Sequence, residues 1–277
     1  WMRHFGRPLV ESVFDFGRGG KQPSHPFLLD WLAVELMEPS FGLSQNHKAS
    51  PWQMKHIHRL IVTSNTYRTS SRTGAAPENA RRDPDNSTYW KHTSRRLDAE
   101  IIRDSMLSVS GQLDATFGGQ ELDPTQEATS KRRSLYFAVY PEGGGMMRFL
   151  TLFDAPDPCD CYRRSESLVP QQALGMSNSV LAVNAGRSLT KKLVEANPKG
   201  PEFIVAAFET ILSRPPTSEE SAACASFLSR QRTLFEETGL PAKPTAPLAP
   251  ASTDARLRAR EGLVRVLLNH HEFVTIP

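Results

Sequence analysis

Apolar residues recur at helical spacing through most of the chain, and this pattern predicts a mainly helical protein. The first helix follows Ser24-His25-Pro26 and ends before Pro39, and its residues 27–37 are apolar over most of the circumference. Ser24 is the expected cap, and Pro26 fits the first turn, where its missing N–H costs nothing. Because so little of this helix is polar, we expect it to lie deep in the core.

Caps and helix breakers predict the other helices. Ser50-Pro51 opens a second helix. Asp98 is the expected cap of a third, over 98–113, where its charge suits the positive end of the helix dipole. Thr217 and an acidic first turn mark the start of a long helix over 217–238. The remaining predicted helices are 170–176, 179–196, 201–213 and 254–270.

One stretch has the character of a strand. Residues 135–140 are rich in aromatic and β-branched side chains and precede Pro141 and the glycine run 143–145. The predicted fold class is therefore mainly α, an irregular helical bundle with a minor β element. We expect three parts along the chain: a helical domain over 1–238, a Pro/Ala-rich linker or loop over 239–253, and a C-terminal helix in 254–277 that packs back on the same domain.

Composition and charge exclude several classes of protein. The 277 residues include 33 basic and 30 acidic side chains, a balance too even to favour nucleic acid or an anionic membrane surface as partner. No apolar run approaches the roughly 18 residues that span a bilayer. Three cysteines do not make a disulfide framework, and no Cys-x-x-Cys-His motif occurs, so we expect no cofactor in this segment. Trp1 precedes the first methionine, and we expect the chain to be part of a longer protein.

The most densely charged stretch, 95–104, holds the first candidate site. Glu100 and Asp104 stand four apart on one predicted helix face, with Arg96 and Arg103 beside them. One hypothesis is an ion-pair network that holds the bundle together. The other is a carboxylate pair in a basic cleft, acting as acid and base on a glycosidic bond. Neighbours on one helix are poorly placed to flank a bond, so Asp154, in a proline-stiffened loop, is the preferred second carboxylate. The simpler interpretation of Asp154 is a turn that binds its own backbone.

Arginine and aromatic residues suggest ligand contacts. Arg163-Arg164 precedes a predicted helix start and suits a carboxylate, sulfate or phosphate, or else pairs with a nearby acidic residue. Tyr67, Trp52 or Trp90 could stack on the sugar rings of an acidic polysaccharide, although aromatic residues more often belong to the core. The candidate catalytic residues are thus Glu100, Asp154 and Asp104, and the candidate ligand-binding residues are His56, Arg96, Arg103, Arg163, Arg164 and Tyr67.

The histidines do not predict a metal site. His56 and His58 are two apart on a presumed helix and point in different directions, so they are poor joint ligands, and one of them is expected to pack inward. Other ligand types are present, but nothing in their spacing forces them together. They are His4, His25, Asp15 and Asp30.

Ordered blocks along nearly the whole chain resemble one family. They include His4-Phe5-Gly6-Arg7, Pro23-Ser24-His25-Pro26, Arg95-Arg96-Leu97-Asp98-Ala99-Glu100, Arg132-Arg133-Ser134-Leu135-Tyr136, Val169-Pro170-Gln171-Gln172-Ala173-Leu174 and Leu267-Leu268-Asn269-His270-His271-Glu272-Phe273. With these blocks the chain resembles the planctomycete-type cytochrome-c-associated C-terminal domain of unknown function. The resemblance implies a place after a haem-binding segment in a large exported or periplasmic protein, with the haem in a neighbouring domain. It supplies neither an activity nor catalytic residues.

Two functions follow as hypotheses. The first is an accessory or binding module, directed at a glycan or at the cytochrome-c-like domain of the same protein, with no nucleic acid partner and no membrane span. The alternative is a glycoside hydrolase with a carboxylate pair. Carboxyl groups roughly 5–10 Å apart across an open groove would favour the hydrolase, and a buried, fully paired Glu100 would favour the accessory module.

Overall fold

The computed structural model describes residues 1–41, 50–72, 74, 76–159, 164, 167–238 and 248–276. Helices account for most of the regular structure, which confirms the predicted mainly α fold class. They are α1 (Met2–Phe5), α2 (Pro26–Met37), α3 (Met54–Thr63), α4 (Pro77–Arg82), α5 (Ala99–Val109), α6 (Arg148–Leu152), α7 (Pro170–Asn178), α8 (Val180–Ala196), α9 (Gly200–Leu212), α10 (Ser218–Thr238), α11 (Ala255–Leu268) and α12 (His271–Val274). The minor β element is a two-stranded sheet of β1 (Arg95–Arg96) and β2 (Thr275–Ile276).

The described residues divide into two compact units. The first unit is Trp1–Arg95 and the second is Arg96–Ile276. Within the second unit, α11 packs against α8, α9 and α10. Residues 239–247 of the predicted linker lie outside the described residues.

The second unit has an extensive apolar core. Helices α8, α9 and α11 each contribute one buried face, and α5 contributes the side chains of Ile102 and Met106. Other fully or almost fully buried members are Leu189, Phe203, Ala207, Val264 and Leu268. The predicted start of α10 is confirmed as a capping box, in which Thr217 Oγ1 accepts from the Glu220 N–H at 3.2 Å and Glu220 Oε2 accepts from the Thr217 N–H at 2.7 Å.

The first unit has a much smaller core. Its buried apolar cluster consists of Phe5, Ile57 and Ile61, with partly buried aromatic and leucine side chains around it. Helices α2 and α3 pack against each other here. As expected, the Pro26 ring occupies the first turn of α2, but His25 rather than Ser24 is the N-cap, and its side chain makes no capping hydrogen bond.

The predicted burial of α2 is wrong. Phe27 is 88% exposed, and Trp31 and Val34 are 41% and 52% exposed. The fully buried side chain of this helix is instead Glu35, at 1%. The apolar composition of a helix shows how much of its surface could be buried, not how much is buried. The small first unit has too little apolar surface to cover more than one side of α2.

The predicted strand over 135–140 is also wrong. Ser134–Tyr136 forms a 3-10 turn, and Phe137 makes only an isolated bridge with Leu122. The turn forms because the Asp104 carboxylate accepts hydrogen bonds from both the N–H and the hydroxyl of Ser134, which bends the chain toward α5.

Two helix boundaries also differ from the prediction. Helix α3 begins at Met54, because Ser50–Trp52 forms a turn in which Trp52 has a φ of +63°. Helix α5 ends at Val109, close to Gly111, whose φ is +71°. Asp98 occupies the N-cap position of α5 as predicted, although its side chain makes no capping hydrogen bond.

Candidate functional site

Asp154 lies in a closed network of donors in the second unit. It follows α6 with a φ of +58°, a left-handed conformation that Asp tolerates better than most residues. Arg96 Nη2 donates to Asp154 Oδ2 at 2.5 Å, and Arg96 Nη1 donates to the Ser167 carbonyl oxygen at 2.6 Å and to Gln172 Oε1 at 2.9 Å. The N–H and hydroxyl of Ser167 donate to Asp154 at 2.8 and 2.7 Å. Both carboxylate oxygens of Asp154 are therefore occupied.

The pKa of Asp154 lies below its ordinary value. Burial is the largest influence and raises the pKa, but the hydrogen bonds from Arg96 and from the N–H and hydroxyl of Ser167 outweigh it. The carboxyl group is consequently ionised at neutral pH and holds no proton to donate.

Arg103 and Asp104 tie α5 to the segment that follows Ser130. Arg103 is fully buried and donates to the carbonyl oxygens of Arg132 and Ser130, each at 2.9 Å. Asp104 accepts the N–H and the hydroxyl of Ser134 at 2.9 and 2.8 Å. Burial lowers the pKa of Arg103, although a guanidinium group remains charged in proteins. The role of these contacts is therefore to hold the two segments together.

Glu100 makes a bidentate ion pair with Arg164. Arg164 Nη1 and Nη2 donate to the two carboxylate oxygens of Glu100 at 2.9 and 3.1 Å, and both side chains are about three-quarters buried. The pair borders a groove of about 580 Å³ whose other walls include Ile101, Leu135 and Val139. Arg163 lies outside the described residues. The sequence analysis named Glu100 and Arg164 as candidate residues, but it did not predict which arginine would pair with which carboxylate.

The first unit contains a cavity that the sequence did not predict. It has a volume of about 400 Å³ and contains aromatic side chains from three separate segments. In the described part of the chain, its lining includes no Asp, Glu, Lys or Arg. Its lining residues include Trp1, His25, Trp31, Phe41, Thr66 and Tyr89.

Two aromatic pairs give this aromatic cavity its shape. The rings of Trp31 and Phe41 meet edge to face with centroids 5.9 Å apart. The rings of Trp1 and Tyr89 meet similarly at 5.5 Å, and Trp1 Nε1 donates to the Tyr89 hydroxyl at 2.9 Å. One signal in the sequence could have predicted the cavity. Helix α2 is apolar on more sides than the core can cover, so some of its apolar side chains are left to line a cavity.

The three aromatic residues proposed from the sequence lie elsewhere. Tyr67 packs edge to face against Phe5, in the small core. Trp90 donates from Nε1 to the Asp83 carbonyl oxygen, and Trp52 is 69% exposed. None of the three lines the aromatic cavity.

The comparisons with known proteins concern family membership. The family described as PSD1, protein of unknown function (DUF1553), matches residues 1–228. The chain belongs to this family. This agrees with the resemblance noted in the sequence, and the family's description assigns no activity. No curated protein and no solved structure matches the chain.

Within this family member, His56 belongs to a buried acid–base pair. His56 Nε2 lies 2.7 Å from Glu35 Oε1, which also accepts the N–H groups of Ser40 and Phe41, each at 2.8 Å. Burial is the largest influence on Glu35 and raises its pKa, but the hydrogen bonds from His56, Phe41 and Ser40 outweigh it and lower the pKa to about 2. His56 is thus the inward-facing member of the His56/His58 pair.

Among the described residues, no group of three or more His, Cys, Asp or Glu side chains is placed to hold a metal ion. None of the described helices combines the length and the apolar character that crossing a membrane requires.

Proposed function

We propose that this chain is a non-catalytic binding module of a large exported protein, and that its ligand is a neutral saccharide unit seated in the aromatic cavity. The observation that carries the proposal is the lining of this cavity, which combines aromatic faces with hydroxyl groups and, among the residues that the structure describes, has no Asp, Glu, Lys or Arg side chain. The large exported parent is inferred from the family resemblance alone.

The size and chemistry of the cavity suit a sugar. Its volume of about 400 Å³ falls within the roughly 300–1,000 Å³ typical of small-molecule sites. Sugar rings present C–H groups on one face, which pack against aromatic rings, and hydroxyl groups at the edge, which need hydrogen-bond partners. Trp31, Phe41 and Tyr89 offer the aromatic surfaces, and the hydroxyl groups of Thr66 and Tyr89 offer partners at the wall.

The described part of the lining carries no Asp, Glu, Lys or Arg, which favours a neutral sugar. A carboxylate or sulfate group placed in this cavity would lose water without gaining a Lys or Arg partner from these residues, which costs free energy. This departs from the acidic polysaccharide considered from the sequence.

The alternative function, a glycoside hydrolase, has weaker support. Its acid must hold a proton near neutral pH, and its base or nucleophile must be free to meet water or the sugar. Asp154 has a lowered pKa and bonded oxygens, and Glu100 is held by both nitrogens of Arg164. These contacts favour the ion-pair network over the carboxylate pair as the role of both residues.

Calorimetric titration with neutral cello- and chito-oligosaccharides tests the proposal. We expect at least one of them to bind, and Trp31→Ala to weaken that binding by about tenfold or more, the effect of losing about 1.4 kcal/mol of contact. Trp52→Ala is the matched control, because Trp52 is an exposed tryptophan of the same unit outside the cavity. No binding of any neutral oligosaccharide, or equal losses in the two variants, would overturn the proposal.

A chromogenic glycoside panel tests the alternative on the same protein. We expect no turnover by the parent chain. Turnover that disappears in both Glu100→Gln and Asp154→Asn but persists in Asp157→Asn would establish the hydrolase and contradict the non-catalytic module. Asp157 is a suitable control because it lies in the same loop and, among the described residues, accepts a hydrogen bond from the Cys159 N–H alone.

A further inference from the structure

Two histidines from separate helices meet on the surface of the first unit. His4 lies in α1 and His58 in α3, and His4 Nε2 lies 2.8 Å from His58 Nδ1. The two rings are inclined by 58°, with their centroids 5.0 Å apart. In this contact one imidazole donates and the other accepts, so two ring nitrogens already face each other with solvent beside them.

We propose that His4 and His58 form a bidentate site for a divalent transition-metal ion that takes ligands at right angles, with Cu²⁺ the preferred ion. His4 Nε2 and His58 Nδ1 would be the protein ligands, and water would fill the remaining positions. This site is separate from the aromatic cavity and does not depend on the proposed saccharide function.

The separation of the nitrogens is compatible with two ligands at right angles. With metal–nitrogen bonds of about 2.0–2.1 Å, two ligands at right angles stand roughly 2.9 Å apart, whereas two at the tetrahedral angle stand roughly 3.3 Å apart. The hydrogen bond between the rings holds the nitrogens 2.8 Å apart, which is close to the first value, so a bound ion with right-angled ligands would need little change in this separation. Right angles between ligands are typical of tetragonal Cu²⁺ and Ni²⁺ sites, and Zn²⁺ usually prefers the tetrahedral arrangement.

A neighbouring aromatic ring restricts the orientation of His4. Tyr67 packs edge to face against His4 with ring centroids 6.0 Å apart, which restricts the orientation of the ligand ring before the metal arrives.

Coordination needs no net loss of protons from the neutral pair. Each ring carries one proton, and the metal takes the lone pairs of His4 Nε2 and His58 Nδ1. The protons then reside on His4 Nδ1 and His58 Nε2. Among the described residues neither of these outer nitrogens has a hydrogen-bond partner, so both can be protonated and solvated.

Cu²⁺ titration of the folded chain, with its amino terminus acetylated, tests this site. We expect one tight equivalent of Cu²⁺ by calorimetry and an axial electron paramagnetic resonance spectrum coupled to two imidazole nitrogens. His58→Ala and His4→Ala should each weaken binding by at least about tenfold, because the second ligand no longer acts intramolecularly, and should reduce the coupling to one imidazole. Affinity should fall in the order Cu²⁺, Ni²⁺, Zn²⁺.

One control variant and a folding check make the result decisive. His271→Ala, which changes an exposed histidine of the second unit, should leave the tight equivalent unchanged. Since His58 is exposed, His58→Ala is expected to keep the parent's far-ultraviolet circular dichroism. Unchanged Cu²⁺ affinity in both His4→Ala and His58→Ala, or parent-like coupling in His58→Ala, would overturn the assignment.

Discussion

At the scale of single residues, the buried acidic groups are matched by donors. Asp154 accepts hydrogen bonds from Arg96 and Ser167, and Glu35 accepts them from His56 and the backbone. A buried carboxylate is tolerable when its lone pairs are satisfied in this way, and removing one partner leaves an uncompensated group in the interior. The arrangement makes stability depend on pH, and Glu35 contributes to that dependence because its pKa is lowered to about 2.

Glu35→Gln should remove the stabilisation of the folded state that the Glu35 carboxylate provides only when it is charged. The folded pKa is about 2 against an ordinary value of 4.5, so the contribution is present above about pH 4.5 and is lost as the pH falls toward 2. We expect the variant to be less stable than the parent by up to about 3 kcal/mol at pH 7, with a much smaller difference near pH 2. Urea unfolding followed by tryptophan emission at several pH values measures this.

Glu38→Gln is the control for that experiment. Glu38 follows the same helix and is exposed, so the change should have little effect at any pH. If the deficit of Glu35→Gln were the same at pH 7 and at pH 2.5, a cause other than ionisation of Glu35 would be required.

At the scale of elements, one arginine joins three helix ends. Arg214 follows α9 and donates to Glu220 in the first turn of α10 and to Glu272 in α12, with four contacts between 2.7 and 2.9 Å. The same Glu220 completes the capping box with Thr217, and the hydrogen bonds from Arg214 and then Thr217 lower its pKa to about 2 despite burial. Only a planar guanidinium group can serve both carboxylates in this way.

Arg214→Lys should weaken this junction while keeping the charge. A lysine cannot reproduce two bidentate contacts, and we expect a loss of about 1–2 kcal/mol in the free energy of unfolding, a figure that allows for side chains that remain about 30% exposed. Arg232→Lys should cost no more than about 0.5 kcal/mol, since its pair with Glu236 is half exposed. Denaturant unfolding followed by circular dichroism compares the two variants, and equal losses would contradict the role given to Arg214.

The sequence predicted local features of these elements better than their surroundings. The capping box at Thr217 and the position of Pro26 depend on neighbours within one turn, and both were predicted. The strand over 135–140 failed because its conformation depends on Asp104, some thirty residues earlier in the chain.

The candidate site was predictable only in part, for the same reason. Spacing placed Glu100 and Asp104 on one face of a helix, but nothing local specifies that Arg164 pairs with Glu100 or that Arg96 pairs with Asp154. The aromatic cavity depends on segments that are far apart along the chain, so Trp31 was assigned to the core. Packing determines which side chains meet when they are far apart along the chain, and the periodicity of apolar residues does not predict these contacts.

At the scale of the whole molecule, the two units differ in the size of their cores. The first unit has a cluster of Phe5, Ile57 and Ile61 with partly buried neighbours, whereas the second unit has a core that spans most of its helices. Burial of apolar surface is the main stabilising contribution to folding, so the first unit is expected to be the less stable of the two.

The tryptophans allow this difference to be measured directly. The four tryptophans of the chain all lie in the first unit, at positions 1, 31, 52 and 90, whereas the longest helices, α8 and α10, lie in the second. Tryptophan emission should therefore report a midpoint at lower urea concentration than far-ultraviolet circular dichroism. Coincident curves would indicate a single cooperative transition and contradict the expected order.

The full burial of Arg103 has a practical consequence for studying the second unit. Its guanidinium group bonds the carbonyl oxygens of Ser130 and Arg132 and lies 4.9 Å from the Phe137 ring, out of reach of solvent. Dicarbonyl reagents modify arginines that they can touch, so Arg103 should react only during openings of the surrounding structure. Mass-spectrometric labelling of this one side chain would then time those openings in native buffer, without denaturant.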